Sequence, residues 1–346
     1  METRVAVYDD GAVDLEKLSL PPRGVGEIDV AMSTAAICGS DLHTVLGHRS
    51  TPDRTALGHE GIGEVLDLDN DVHDLRGERL AVGDRVVFAL FSACGSCDRC
   101  SAGLAMKCRN LLKYGHESVT TAPHATGTLA DVVRLLPGVA VLKVPAEVDD
   151  RHVVAAGCAV ATAAAVVTAA GPPAAGTRAL VYGAGAVGSY TAAMLASIGV
   201  DVAVSDPNPD RQAAVTALGL RLAADDAPAY DLVIEASGSP VAFTEAIDRI
   251  EIGGRIVAAG AVSPGHSTVT FDPATLVRQR LSLIGVHNYT AEEFRYGVDW
   301  LLAHGQRPEW STVLSAPFPL DDVERAFAEI QRGRFLRVLV QPGSDA

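Results

Sequence analysis

Four of the chain's six cysteines fall within fifteen residues, in the spacing Cys94-x2-Cys97-x2-Cys100-x7-Cys108. Two-residue spacers in a loop punctuated by Gly and Ser let four thiolates close around one ion, and a closed tetrahedron of sulfur ligands is what a structural zinc takes. Four thiolates also suit an iron–sulfur cluster. Four unrelated buried cysteines are not expected at this local density. The remaining two, Cys38 and Cys158, lie far apart, with His59 between them in Leu57-Gly58-His59-Glu60. Taken singly, each reads as a small buried thiol or a hydrogen-bonded histidine. Together, two thiolates and one imidazole make a three-ligand zinc site whose fourth position stays open to water or substrate, as catalysis requires.

A second motif, Gly183-Ala184-Gly185-Ala186-Val187-Gly188, follows the strand-like run Arg178 to Tyr182 and precedes an Ala-rich helical stretch. In that setting the first glycine permits a tight turn, the second lets the backbone approach a pyrophosphate, and the third allows close helix packing. The helix N-terminus then stabilises the phosphate charge. Asp206 ends the next strand, where a carboxylate takes ribose hydroxyls and repels a 2′-phosphate, so NAD is expected over NADP. Arg211 could meet a 2′-phosphate, but with Asp206 in place it reads better as a solvated charge or a group along the adenine.

The elements that must position these residues come in two textures. Up to about residue 150 the chain reads as short strands divided by Gly, Pro and Asp, including Glu27 to Ala35, Gly63 to Asp69 and Gly83 to Leu90. From Thr177 onward strands alternate with helices, at Arg178 to Tyr182, Val200 to Ser205, Tyr230 to Ala236, Gly254 to Ala259 and Leu281 to Val286, which predicts a parallel sheet. Helical stretches at Ala291 to His304 and Asp321 to Arg332 and a strand at Leu336 to Gln341 close the chain.

With 346 residues, 48% apolar and 21% charged, the chain is long enough for two domains with cores of their own. A net charge of −15, with no Lys/Arg run to reverse it locally, excludes nucleic acid and anionic membranes as expected partners. The opening Met1-Glu2-Thr3-Arg4-Val5 alternates like a strand and lacks a signal-peptide layout, so a cytoplasmic protein is expected. Val153 to Gly171 is uncharged but mostly Ala, which predicts a buried helix rather than a membrane span.

Cys38-Gly39-Ser40-Asp41-Leu42-His43, Gly58-His59-Glu60-Gly61-Ile62-Gly63, Gly83-Asp84-Arg85-Val86 and the four-cysteine loop together resemble the zinc-dependent medium-chain alcohol dehydrogenases. The resemblance runs nearly end to end. It implies an α/β architecture: a GroES-like β-barrel catalytic domain from residues 1–152 and 288–346, carrying the structural zinc loop 94–108, and a Rossmann NAD-binding domain, a doubly wound parallel sheet, at 153–287. It also implies that Cys38, His59 and Cys158 hold the catalytic zinc, that Glu60 is a neighbouring group or exchangeable ligand, and that Asp41 orients the ligating histidine. Ser40 and His43 match a proton relay running from the alcohol through the cofactor ribose. Arg337 matches a position that approaches the pyrophosphate, Thr162 one beside the nicotinamide, and His287 one near the cofactor. Family members assemble as homodimers or homotetramers.

Three further segments, Lys113-Tyr114-Gly115-His116-Glu117, Cys158-Ala159-Val160-Ala161-Thr162 and Gly285-Val286-His287-Asn288-Tyr289, resemble a bacterial branch associated with phosphonate catabolism. His116, His287 and Asn288 would suit a hydrophilic substrate. The expected activity is hydride transfer between NAD and a small polar alcohol, aldehyde or ketone, with two zinc ions per chain. Hydroxyalkylphosphonates, polyols and cyclitols are the narrower substrate classes. A zinc-free reductase on the same fold would not need Cys38, His59 and Cys158, and a catalytically inactive dinucleotide-binding regulatory or structural protein is the alternative from another class.

Overall fold

A computed structural model of the chain describes residues 1–69, 71–121, 126–224, 229–260, 265 and 267–343. It divides into two units, Met1–Cys158 with Thr290–Ala346, and Ala159–Tyr289.

The first unit is organised around the strand Ile28–Ile37, almost wholly buried, which pairs antiparallel with Glu60–Leu68, Val132–Leu135 and Val338–Gln341. Its small and β-branched residues suit a strand with neighbours on every side. Val30, Val65, Val86, Phe88, Leu135 and Val141 pack into one buried cluster inside this sheet. The pairing register decides where the chemistry sits. Ile37 lies opposite Val338 and Ala36 opposite Glu60, so Cys38, the His59–Glu60 pair and Arg337 all emerge at the same end of three adjacent strands.

Directly after that strand comes a helix, Gly39–Val45, too short for its apolar period to be read from sequence. Local capping holds it. The Cys38 sulfur accepts the Ser40 N–H at 3.2 Å, and Asp41 reaches back to accept the Cys38 N–H at 3.0 Å, a reciprocal capping box with sulfur in the place of a hydroxyl.

The second unit is a six-stranded parallel sheet in the spatial order Arg221–Leu222, Asp201–Ser205, Arg178–Tyr182, Tyr230–Glu235, Ile250–Ala258, Ser282–Gly285. Numbered within the unit this is 3-2-1-4-5-6, the dinucleotide-binding order, whose reversal beside its first strand opens a crevice at the strands' C-terminal ends. Leu180, Ala203, Tyr230, Val233 and Ile256 form its buried core with Ile247 of the helix Pro240–Asp248.

Among the described residues one helical run, Asp150–Ala170, is long and apolar enough to cross a membrane, with a mean hydropathy of 2.1 over its most apolar window, but 78% of that window is buried inside the protein. It is not a regular α-helix throughout. Ala156–Val160 forms a π-helical turn, a widening that recurs at functional sites, and Cys158 stands in its middle.

Candidate metal and cofactor sites

The four loop cysteines converge without bonding one another. Sulfur–sulfur distances are 3.4 Å for Cys94–Cys108, 3.5 Å for Cys97–Cys100 and 3.9 Å for Cys97–Cys108, and all four thiols are free. A disulfide would need about 2 Å, whereas Zn–S bonds of about 2.3 Å impose a tetrahedral edge of about 3.8 Å. Backbone N–H groups aimed at sulfur favour the thiolate form that metal binding needs. The N–H of Ser96, with Cys108 and Cys97 beside it, lowers the Cys94 thiol to about 6, and the N–H of Arg109 pulls Cys97 down as well. The loop therefore fits a structural zinc.

The second cluster brings Cys38, His59 and Cys158 together, their donor atoms all within 4.8 Å of one another. Cys38 Sγ lies 2.9 Å from His59 Nε2, and the Ser40 hydroxyl is 3.0 Å from each of them. Asp41 is fully buried behind the imidazole. Its Oδ1 accepts the Gly58 N–H and sits 3.2 Å from His59 Nδ1, close but short of hydrogen-bond alignment. A carboxylate at that nitrogen orients the ring so that Nε2 faces the sulfurs.

The charges in this cluster interlock. Burial opposes the Cys38 thiolate, but the bond from Cys158 and the charges of His59 and Arg337 outweigh it and hold the thiol well below its ordinary value. That same bond, with burial, pushes Cys158 well up. Burial also opposes protonated His59, yet Asp41 and Cys38 raise it well above the usual imidazole value. A site whose donors share protons this tightly is one a cation can take over, because its ligands release protons on binding. Two sulfurs and one nitrogen at this spacing fit zinc.

Glu60 and Arg337, 277 residues apart, meet beside this cluster. Arg337 Nη2 donates to Glu60 Oε1 at 2.8 Å and its Nε to Oε2, with Glu60 fully buried and Arg337 nearly so. Both carboxylate oxygens of Glu60 are thus held by the guanidinium. Burial lifts the Glu60 pKa despite Arg337, and Glu60 in turn overcomes burial to raise that of Arg337. The sequence showed no sign of this pairing.

In the second unit a cleft of about 810 Å³ opens at the C-terminal ends of the strands, lined by Gly183, Gly185, Asp206, Arg211 and Ser237 among others. Gly183 has φ +94°, and a methyl on Gly188 would stand 1.8 Å from the Gly183 carbonyl oxygen. That contact is with backbone and cannot swing aside. Gly188→Ala should therefore cost more than about 3 kcal/mol, read as a lowered midpoint in chemical denaturation. Asp206 is bound into the loop: its Oδ2 accepts the Ala184 N–H at 2.7 Å and its Oδ1 the Asn208 N–H at 2.9 Å.

Thr162, Val187 and His287 lie in this unit but outside the lining of the cleft, and Arg337 belongs to the other unit. Sequence reasoning missed Glu235. Buried at the end of the fourth strand, its Oε1 accepts the Ser237 N–H, the Ser237 hydroxyl and the Gly238 N–H at 2.7 to 2.8 Å, shaping the cleft's far wall. The run Glu235-Ala236-Ser237-Gly238 at a strand end was the available signal.

Residues 24–146 match the family model of the alcohol dehydrogenase GroES-like domain, and residues 186–303 that of the zinc-binding dehydrogenases. The L-threonine 3-dehydrogenase of Chelativorans sp. (strain BNC1) is 28% identical over 360 residues, covering 98% of this chain and 98% of that enzyme. An alcohol dehydrogenase structure from Thermotoga maritima superposes with a TM-score of 0.91 at 24% identity, over 99% of this chain and 100% of that one. Another, from Escherichia coli CFT073 in complex with NADH, has a TM-score of 0.82 at 25% identity, over 98% and 99%. With its first unit matched to one domain of that enzyme type and its second to the other, the chain belongs to the zinc-dependent medium-chain alcohol dehydrogenase family, and its cofactors are zinc and NAD.

Proposed function

We propose that this enzyme transfers a hydride between NAD and a small polar alcohol or the corresponding carbonyl compound. The observation that carries the reading is the cluster of Cys38, His59 and Cys158, three zinc-type donors within 4.8 Å. When bound, zinc there supplies the charge that lowers a hydroxyl's pKa and NAD supplies the hydride acceptor, so that alcohol and NAD give carbonyl, NADH and one proton.

The chain's own residues do the rest. Asp41 fixes the His59 ring from behind, and Ser40, whose hydroxyl already sits 3.0 Å from Cys38 Sγ and His59 Nε2, is placed to accept the proton the alcohol loses. His43 lies one helical turn further along Gly39–Val45, exposed, with its Nδ1 3.3 Å from His48 Nδ1, and passes that proton to solvent. His43→Ala should lower kcat at neutral pH by about tenfold or more and much less at high pH, where hydroxide replaces it. An unchanged pH profile would remove His43 from the relay.

Asp206 receives the ribose hydroxyls at the cleft, and Gly183 and Gly185 bring backbone N–H groups to the pyrophosphate. Asp206→Ala should raise the KM for NAD by about tenfold or more, with a smaller penalty for NADP, in steady-state assays with either cofactor.

The substrate class is read by following absorbance at about 340 nm with zinc-loaded protein and NAD against simple alcohols, polyols, cyclitols, hydroxyalkylphosphonates and L-threonine. L-Threonine is included because of the 28% identity to a threonine dehydrogenase. A rise with one class identifies it. Silence across the panel with both NAD and NADP would overturn the proposal and favour a dinucleotide-binding protein without turnover.

A further inference from the structure

His43 and His48 face each other apart from the two cysteine-containing clusters, and of the two only His43 has a part in the proton relay. The local chain brings them together. The helix Gly39–Val45 is followed by a turn at Gly47, φ +69°, where the His48 N–H donates to the His43 carbonyl at 2.9 Å and the Gly47 N–H to that of Thr44 at 3.0 Å. These two bonds are the Schellman closure, with Leu46 as the cap, which brings the second residue past the cap against the third residue before it. An apolar contact usually fills that place. Here two exposed imidazoles fill it, Nδ1 to Nδ1 at 3.3 Å, with ring centroids 5.6 Å apart and ring planes tilted by 45°.

A neutral imidazole has one ring nitrogen with a hydrogen and one with a free lone pair. Between two Nδ1 atoms this close only one proton fits, so one ring donates and the other accepts, and a metal cation can replace that proton by drawing on both lone pairs. Zn–N bonds of about 2.0–2.1 Å in a tetrahedron put two ligand nitrogens about 3.3–3.4 Å apart, which is the separation already present. Each ring has only to turn until the two lone pairs meet beside the line joining them, and both side chains reach solvent. A net charge of −15 draws cations toward the chain.

We propose that His43 and His48 form a third, inhibitory metal site for a divalent transition-metal ion of the kind imidazole prefers, such as zinc. Among the described residues the pair joins neither donor cluster, so its ion completes its shell with water and exchanges more readily than the ions of the other two sites. The inhibition rests on the dehydrogenase reading, in which His43 passes the substrate's proton to solvent. A metal on Nδ1 takes the ring's one lone pair while Nε2 keeps its hydrogen, and no nitrogen is left to accept that proton. Zinc is then needed at Cys38, His59 and Cys158 and inhibits at His43 and His48.

The first test counts metal without turnover. Full-length protein already holding two zinc ions per chain is dialysed to equilibrium against rising free zinc, and a third ion per chain is expected. His48→Gln and His43→Gln should each weaken that third ion by about tenfold or more and leave the first two in place. Glutamine keeps the backbone bonds of the turn and removes only the imidazole.

The second test follows NADH formation, each variant being compared with its own rate in the absence of excess zinc. Zinc that fills the third site should lower the rate of the parent protein at neutral pH by about tenfold, the loss expected when His43 cannot accept a proton. His48→Gln should raise the half-inhibiting zinc concentration by about tenfold or more. Two ions per chain at every zinc concentration, or a third held equally well by both variants, would overturn the proposal. A third ion that depends on His48 and leaves turnover untouched would overturn its inhibitory role. If no alcohol reduces NAD while the third ion still depends on His43 and His48, the reaction class falls and the metal site stands.

Discussion

Cys38→Ser should lower kcat/KM by more than about a thousandfold and reduce the metal content from two zinc ions per chain to one. Serine keeps the helix cap, since its oxygen can accept the Ser40 N–H that the sulfur accepts now at 3.2 Å. What it removes is the thiolate that Cys158, His59 and Arg337 stabilise in place. A hydroxyl is a far poorer zinc ligand near neutral pH. The remaining His59 and Cys158 cannot hold a three-ligand site, and without the metal's charge the alcohol proton is not acidic enough to leave. Metal analysis alongside turnover separates the cases. Full activity with both ions retained would exclude Cys38 from the site, whereas loss of the loop ion instead would show that Cys38 acts through folding.

Arg337→Met should be the most destabilising single change at the site, by about 3–5 kcal/mol, because it removes the opposite charge and two hydrogen bonds from a carboxylate with no exposure to water. The effect carries a pH signature. Burial already raises the Glu60 pKa in the folded chain, and removing the guanidinium raises it further. A carboxyl whose folded pKa exceeds its unfolded value is at its most stable below the unfolded value, and loses that stability as pH rises through the folded one. The deficit against the parent protein should therefore widen from pH 5 to pH 8 in chemical denaturation. Adding Glu60→Gln should flatten that dependence and recover part of the loss. A single variant as stable as the parent at both pH values would mean that the pair carries no folding energy. The KM for NAD, measured in the same variant, reports separately on the expectation that Arg337 approaches the pyrophosphate.

Much of the chemistry was legible because it is local. Four thiols with two- and seven-residue spacers close their ring over a handful of dihedrals, so the spacing of Cys94, Cys97, Cys100 and Cys108 is itself the geometry. The glycines from Gly183 to Gly188 work the same way: the contact that forbids a side chain at Gly188 comes from a carbonyl five residues earlier. Alternating strands and helices implied the parallel sheet, and Ala291–His304 begins and ends where its pattern does. The amphipathic and turn signals there agree with the final packing.

Tertiary structure decided what depends on strand register and on charge neighbours. Nothing near Arg337 indicates that its guanidinium belongs to Glu60. That follows only once Val338 is paired with Ile37 and Glu60 with Ala36, and a strand's preference for a partner is set by shared burial rather than by its own residues. The π-helical turn that carries Cys158 is likewise absent from any periodicity of its Ala-rich run. Asp206 was legible as a carboxylate at the end of the second strand, but its bond to the Ala184 N–H, which ties it to the glycine loop, required the two strands to be adjacent. Electrostatic pairing of this kind depends on distance in space, and the sequence orders residues only along the chain.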